Sequence, residues 1–163
     1  MEQKDIDYMI DAHTNYAKKP SKKFRKFDGK TSYWAHPLWC ATTILAETSL
    51  EEKLRNEGAL TLLYHDIFED TTAQLPPWLS DKIKKNIADM TFTNYQEEIE
   101  KIWAKPKEIR LYKLCDKVHN LLDGSWMDEM KRIIYKNYTE KLCANVERSF
   151  GELNIIKIAR QIT

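Results

Sequence analysis

Ile134, Tyr138, Leu142, Val146 and Phe150 recur every four residues toward the end of this chain, and nowhere does a two-residue alternation of apolar and polar residues persist. Side chains four apart share one face of an α-helix, whereas a half-buried strand needs them two apart. With only 4 glycines and 5 prolines to interrupt 163 residues, the chain reads as all-α. That length suits a single domain able to bury a real core without cross-links, which makes a compact multi-helix bundle the expected architecture. The cysteines Cys40, Cys115 and Cys143 are widely spaced within apolar helical patterns, so they read as buried thiols of a reducing cytoplasm. A net charge of +1 leaves no global basic field, which argues against nucleic acid as a partner. The first residues lack an apolar signal core, and no run approaches the roughly 18 to 20 apolar residues that cross a membrane. A cytoplasmic protein with no membrane partner is the expectation.

Along the chain, a first helix is expected over residues 6–17, followed by a basic loop over 18–30 that carries seven Lys or Arg residues and one Asp. A second helix should begin around Tyr33 to Pro37, with His36 in its first turn and Leu38, Ala41, Thr42 and Leu45 at helical spacing. Residues 50–68 follow as one helix, apolar enough around its circumference to be central in the core. Pro76 and Pro77 interrupt the chain before shorter helices over 78–90 and 95–104. Pro106 opens a stronger helix bearing Ile109, Leu111, Leu114, Cys115, Val118, Leu121 and Leu122, and a long helical region closes the chain.

The chemistry concentrates in Tyr64-His65-Asp66-Ile67-Phe68-Glu69-Asp70-Thr71, which sets one imidazole and three carboxylates on two turns of an otherwise apolar helix. His65 and Glu69 are four apart, as are Asp66 and Asp70, so the pairs stack on neighbouring faces and can point into one cavity. A divalent cation would compensate that buried charge, and mixed imidazole and carboxylate donors suit manganese, zinc or iron better than calcium. A His-Asp pair on a helix is ordinarily a hydrogen-bonded couple or a solvated edge. Against that reading, His36 precedes a proline at a helix start where nothing structural demands imidazole. Farther on, Lys113-Leu114-Cys115-Asp116-Lys117-Val118-His119-Asn120 places an acid and an amide on the edge of another apolar helix.

The combination Tyr33-x-x-His36-Pro37, His65-Asp66-x-x-Glu69-Asp70-Thr71 and Lys113-Leu114-x-Asp116-Lys117-x-His119-Asn120 resembles the HD superfamily of metal-dependent phosphohydrolases. More narrowly it is similar to the hydrolase domain of RelA/SpoT homologues and to the stand-alone small alarmone hydrolases. The spacing from Arg25 to His36 resembles that of the metazoan enzymes more than that of the long bacterial ones. The resemblance implies one divalent metal, usually manganese, held by His36, His65, Asp66 and Asp116. Glu69 and Asp70 match the acidic pair that activates or orients the attacking water. Asn120 matches an amide that contacts the nucleotide, and Arg25 with Lys26 match basic residues that meet substrate.

HD enzymes with two metals carry extra histidines between the His-Asp pair and the last Asp, and none lies between Asp66 and Asp116. The resemblance therefore implies a mononuclear centre. It implies a small-molecule nucleotide substrate, with guanosine tetra- or pentaphosphate cleaved at its 3′-diphosphate as the leading activity. The alternatives are another phosphorylated nucleotide or dinucleotide cofactor on the same scaffold, or a catalytically silent nucleotide sensor. Where relatives carry basic residues before the last motif, this chain has Gln96-Glu97-Glu98-Ile99-Glu100. The expectation is a free-standing hydrolase, without a synthetase or regulatory domain after it. His119 reads as a support for its neighbours, His13 has no partner in view, and Trp34, beside the first motif, is a candidate for the nucleotide pocket.

Overall fold

In the computed structural model, which describes residues 1–163, helix α7 (Lys107–Leu122) runs through the middle of the molecule. It packs against α2 (Ala35–Leu45), α3 (Glu52–Tyr64), α5 (Asp81–Met90), α8 (Glu129–Phe150) and α9 (Asn154–Ile162). Its Ile109, Leu111, Tyr112, Leu114 and Val118 are all buried. There are no strands; the only β-type pairings are isolated bridges, Ala17 with Thr71 and Phe24 with Ser32. The all-α reading therefore holds. One cluster of 30 buried residues joins α1 (Gln3–Asn15) to α9. At about 1.5–3 kcal/mol for each large aliphatic side chain, that core needs no cross-link. All three cysteines are free and buried, and no helix is long and apolar enough to cross a membrane.

Two buried carboxylates tie the periphery down. Asp5 accepts hydrogen bonds from the backbone N–H of Glu2 at 2.8 Å, the Tyr64 hydroxyl at 3.1 Å and Trp78 Nε1 at 3.0 Å. Glu47, from the turn after α2, accepts from the backbone N–H groups of Asn154 and Ile155 at 2.9 and 2.6 Å, satisfying donors at the start of α9 that helix geometry leaves free. Helix boundaries shift where such local bonds intervene. α5 starts at Asp81 rather than residue 78, because Ser80 caps it while the Trp78 indole is engaged with Asp5. Helix α6 (Tyr95–Lys101) passes into a 3₁₀ turn at Ile102–Ala104. On α8 the buried residues include Tyr135, Tyr138, Thr139, Leu142 and Val146, while Ile134, expected in the core stripe, is exposed.

The largest departure concerns residues 50–68. The expected single helix stops at Tyr64, and a one-turn helix α4 (Ile67–Asp70) resumes after His65 and Asp66. At the break the Leu62 carbonyl accepts a hydrogen bond from His65 Nδ1 at 2.6 Å. An imidazole thus bonds to a carbonyl of the last turn of α3, and His65 and Asp66 are buried at the junction.

Candidate functional site

The junction between α3 and α4 faces the middle of α7 and the first turn of α2. His36 Nε2 lies 3.3 Å from Asp116 Oδ1 and 3.5 Å from Asp66 Oδ2, and His65 Nε2 lies 3.2 Å from Asp66 Oδ1 and 3.9 Å from Asp116 Oδ1. One donor atom each from His36, His65 and Asp116 fall within 4.8 Å of one another, and Asp66 adjoins both imidazoles from the side. The four residues that the sequence resemblance assigns to a metal thus converge, and all four are buried.

Whether these residues fit a cation is decided at His65. Its Nδ1 donates to the Leu62 carbonyl, so in the neutral ring Nε2 carries a lone pair, and that atom is buried with no hydrogen-bond partner. A lone pair directed at two carboxylates is repulsive unless a cation lies between them. The donor set therefore fits a divalent ion of the borderline class.

Electrostatics around the cluster hold its carboxylates ionised. Burial alone would push Asp66 up, but His65 and His36 when protonated, with the Tyr33 hydroxyl donating to Oδ2 at 2.7 Å, bring it down to about 2. Burial opposes ionisation of Asp116 as well. Lys117 and Lys113 overcome it, at 3.3 and 3.1 Å from Oδ2, and hold that carboxyl well below the usual range. Both lysines also pair with buried Glu98, Lys117 at 2.9 Å and Lys113 at 3.3 Å. Oδ2 of Asp116 is thereby committed to lysines and Oδ1 is left facing the imidazoles.

These groups open onto a cavity of about 350 Å³. Glu69 and Asp70 line it together with Asp66 and Asp116. Glu69 stands exposed in the opening, and desolvation by the surrounding protein, reinforced by Asp66 and Asp116, raises its pKa above the ordinary glutamate value. Asp70 is buried and forms an ion pair with Lys22. Six cations, Lys22, Arg25, Lys26, Lys113, Lys117 and Lys131, line the same cavity against those four acids. Glu98 and Asp123 behind the wall pair with Lys113, Lys117 and Arg25, which leaves Lys26 and Lys131 as the pocket cations without an acid partner.

Sequence reasoning named Arg25, Lys26 and Asn120 as substrate contacts, and all three line the cavity. Two are already engaged. Asn120 donates to Asp116 Oδ1 at 2.6 Å and accepts from Arg25 Nη2 at 2.8 Å, while Arg25 also forks onto Asp123. Lys26 is held over the Trp126 ring at 4.3 Å, with Lys131 on the same ring at 4.4 Å. Trp34 does not line the pocket; it packs against the core, and Trp126 supplies the pocket indole instead. Lys22, Lys113, Lys117, Lys131, Tyr95, Tyr135 and Asp123 carried no role in the sequence reading. Lys113 and Lys117 were detectable in principle, because two lysines inside an apolar helix flanking an acid need a buried counter-charge.

The helical bundle, with two imidazoles and two carboxylates gathered at its centre beneath a pocket lined by lysines, has a counterpart of the same fold among solved structures. A solved structure described as a metazoan orthologue of SpoT that hydrolyses ppGpp and plays a role in starvation responses superposes with a TM-score of 0.75. The match covers 98% of this chain and 91% of that one at 19% identity, a likeness of fold. No protein-family model and no curated protein matches the chain.

Proposed function

We propose that this protein is a metal-dependent hydrolase of phosphorylated nucleotides, acting foremost as a guanosine-3′,5′-bis(diphosphate) 3′-pyrophosphohydrolase. The observation that carries the reading is the partnerless His65 Nε2, buried beside His36 Nε2 and Asp116 Oδ1 at the base of the lysine-lined cavity. His36, His65, Asp66 and Asp116 would hold one divalent ion, with manganese the leading choice. Bound there, such an ion lowers the pKa of a water from about 15.7 toward 7 and polarises a phosphoryl oxygen.

The remaining chemistry belongs to the protein. Glu69 reaches the pocket with a raised pKa, which suits a group that accepts a proton from the attacking water near neutral pH. The water oxygen bonds to the phosphorus next to the 3′ oxygen, the bond between them breaks, and the 3′ oxygen leaves with a proton, giving GDP and pyrophosphate. Asp70, paired with Lys22, orients the water or the leaving side. Lys22, Lys26 and Lys131 neutralise phosphate oxygens at the pocket wall, and Tyr95 and Tyr135, stacked at 5.1 Å, offer an aromatic surface beside them.

The test is a nucleotide panel with manganese and product identification. The expected result is pyrophosphate and GDP from ppGpp. Glu69→Gln should lower turnover by about 10² to 10⁴ while the protein still binds the ion. Orthophosphate alone, or activity confined to a phosphorylated dinucleotide, would replace the leading substrate with the alternative; no turnover with the ion bound would indicate a nucleotide sensor.

A further inference from the structure

His36 has a second nitrogen, and it faces away from the cavity. Its Nδ1 lies 2.5 Å from Nδ1 of His119, on α7. The ring centroids are 4.8 Å apart with 16° between planes. That separation exceeds the nitrogen–nitrogen distance by about two ring radii, so the rings meet edge to edge and nearly coplanar, as an in-plane N–H···N bond requires. Two lone pairs or two N–H groups would repel at this distance, so one ring must donate and the other accept. A ligand Nε2 must offer its lone pair, which places the proton of a neutral His36 on Nδ1. His119 Nδ1 is then the acceptor. The alternative acceptor, Cys40 Sγ, is 3.9 Å away and makes its own contact with the Cys115 carbonyl.

We propose that His119 is a positioning residue that fixes the tautomer and ring orientation of His36. This inference rests on reading His36 as a metal ligand. It also accounts for how His119 itself is held: Trp39 stacks face to face on it at 4.5 Å, so the acceptor cannot swing away. His119 does not line the cavity and touches no reacting group. The two imidazoles of the centre are thus oriented differently, His65 by a backbone carbonyl and His36 by a side chain that substitution can change.

Manganese titration of the purified protein, with free ion read by electron paramagnetic resonance, tests this. Wild type should bind one equivalent, and His36→Ala should abolish that binding. His119→Phe keeps a flat ring on Trp39 but offers no acceptor, and should weaken binding about ten- to a hundred-fold. His119→Asn places an oxygen near the old Nδ1 and should recover most of the affinity. Equal weakening in Phe and Asn variants would assign the loss to packing and overturn the proposal, as would wild-type affinity in His119→Phe. A second equivalent that disappears in Cys40→Ser would make His36, Cys40 and His119 a metal site of their own, which also overturns it.

If wild type binds no ion, or His36→Ala binds as tightly as wild type, the metal reading itself fails and takes this role with it. Nitrogen NMR of metal-free protein gives a readout independent of the ion. His36 should show a protonated Nδ1 and a bare Nε2, with a hydrogen-bond coupling from His36 Nδ1 to His119 Nδ1. A proton on His36 Nε2 instead would sink the assignment.

Discussion

Asp123 grips Arg25 with both carboxylate oxygens, Nε to Oδ2 at 2.7 Å and Nη2 to Oδ1 at 2.9 Å, in a fork-to-fork pair closed over a guanidinium that is only 5% exposed. Burial would favour loss of that charge, but Asp123 raises the Arg25 pKa above its ordinary value. The pair joins the loop before α2 to the end of α7 and, through Asn120, to Asp116. Asp123→Ala strands a buried cation. Loss of about 3–5 kcal/mol is expected, read as a lower denaturant midpoint with the slope unchanged. Near-wild-type stability would mean that Arg25 reaches solvent or another acid when released.

Glu98 is the counter-charge of two buried lysines, and its removal should be felt twice. Lys113 and Lys117 stay protonated against burial because Glu98 and Asp116 both stabilise their charges. Glu98→Ala leaves them sharing Asp116, with an expected cost of about 3 kcal/mol or more. Stability should drop by roughly 6–12 °C in Tm for a chain of this size. Manganese affinity should change as well, since the lysines that hold Asp116 Oδ2 lose their second anchor. An unchanged Tm would remove the network from the account of stability.

His13 is buried with both ring nitrogens unpartnered, stacked on Tyr33 at 5.1 Å. Desolvation brings its pKa down to about 4. An unfolded histidine titrates near 6.5, so between about pH 6.5 and 4 the unfolded chain binds a proton that the native one refuses. Stability therefore falls as pH drops through that window and levels off below it. The contribution is about 2 kcal/mol between pH 8 and pH 5. His13→Leu should raise stability at both values, and more at pH 5, in chelator-treated protein. A gain independent of pH would show that the ring titrates normally in the native state.

Gly58 is where α3 packs directly against Tyr112 of α7 and Ile44 of α2. A Cβ there would stand 2.6 Å from Tyr112 Cε1 and 3.1 Å from Ile44 Cγ1, both in fully buried side chains. Elsewhere an exposed helical Gly→Ala change gains about 1 kcal/mol. Here Gly58→Ala should instead cost about 1–3 kcal/mol by overpacking. A thermal or denaturant melt decides the sign, and stabilisation would mean that Tyr112 moves without strain.

Much of the candidate centre was legible because its residues come in short helical spacings. His65, Asp66, Glu69 and Asp70 lie within six residues, and Asp116 and Asn120 are one turn apart on α7. The break after Tyr64 was not legible. The run Leu60, Leu63, Tyr64, Ile67 and Phe68 keeps a helical period across it, and the hydrogen bond from His65 to Leu62 that accompanies the break is a side-chain choice rather than a pattern. The ion pair that holds Arg25 was not legible either, because its partner Asp123 is 98 residues away.

Hydrophobic period alone determined that the chain is helical and that α7 and the residues before Asp70 are central, since burial follows from the spacing of apolar side chains. Local spacing also placed His65, Asp66, Glu69 and Asp70 together, and the resemblance added His36 and Asp116. Only the tertiary structure decided how each is used. The orientation of His36 by His119 and the neutralisation of Lys113 and Lys117 by Glu98 depend on which helices meet in space. Hydrogen bonds and ion pairs act over about 3 Å, so residues 19 to 98 positions apart become partners only when packing brings their helices together.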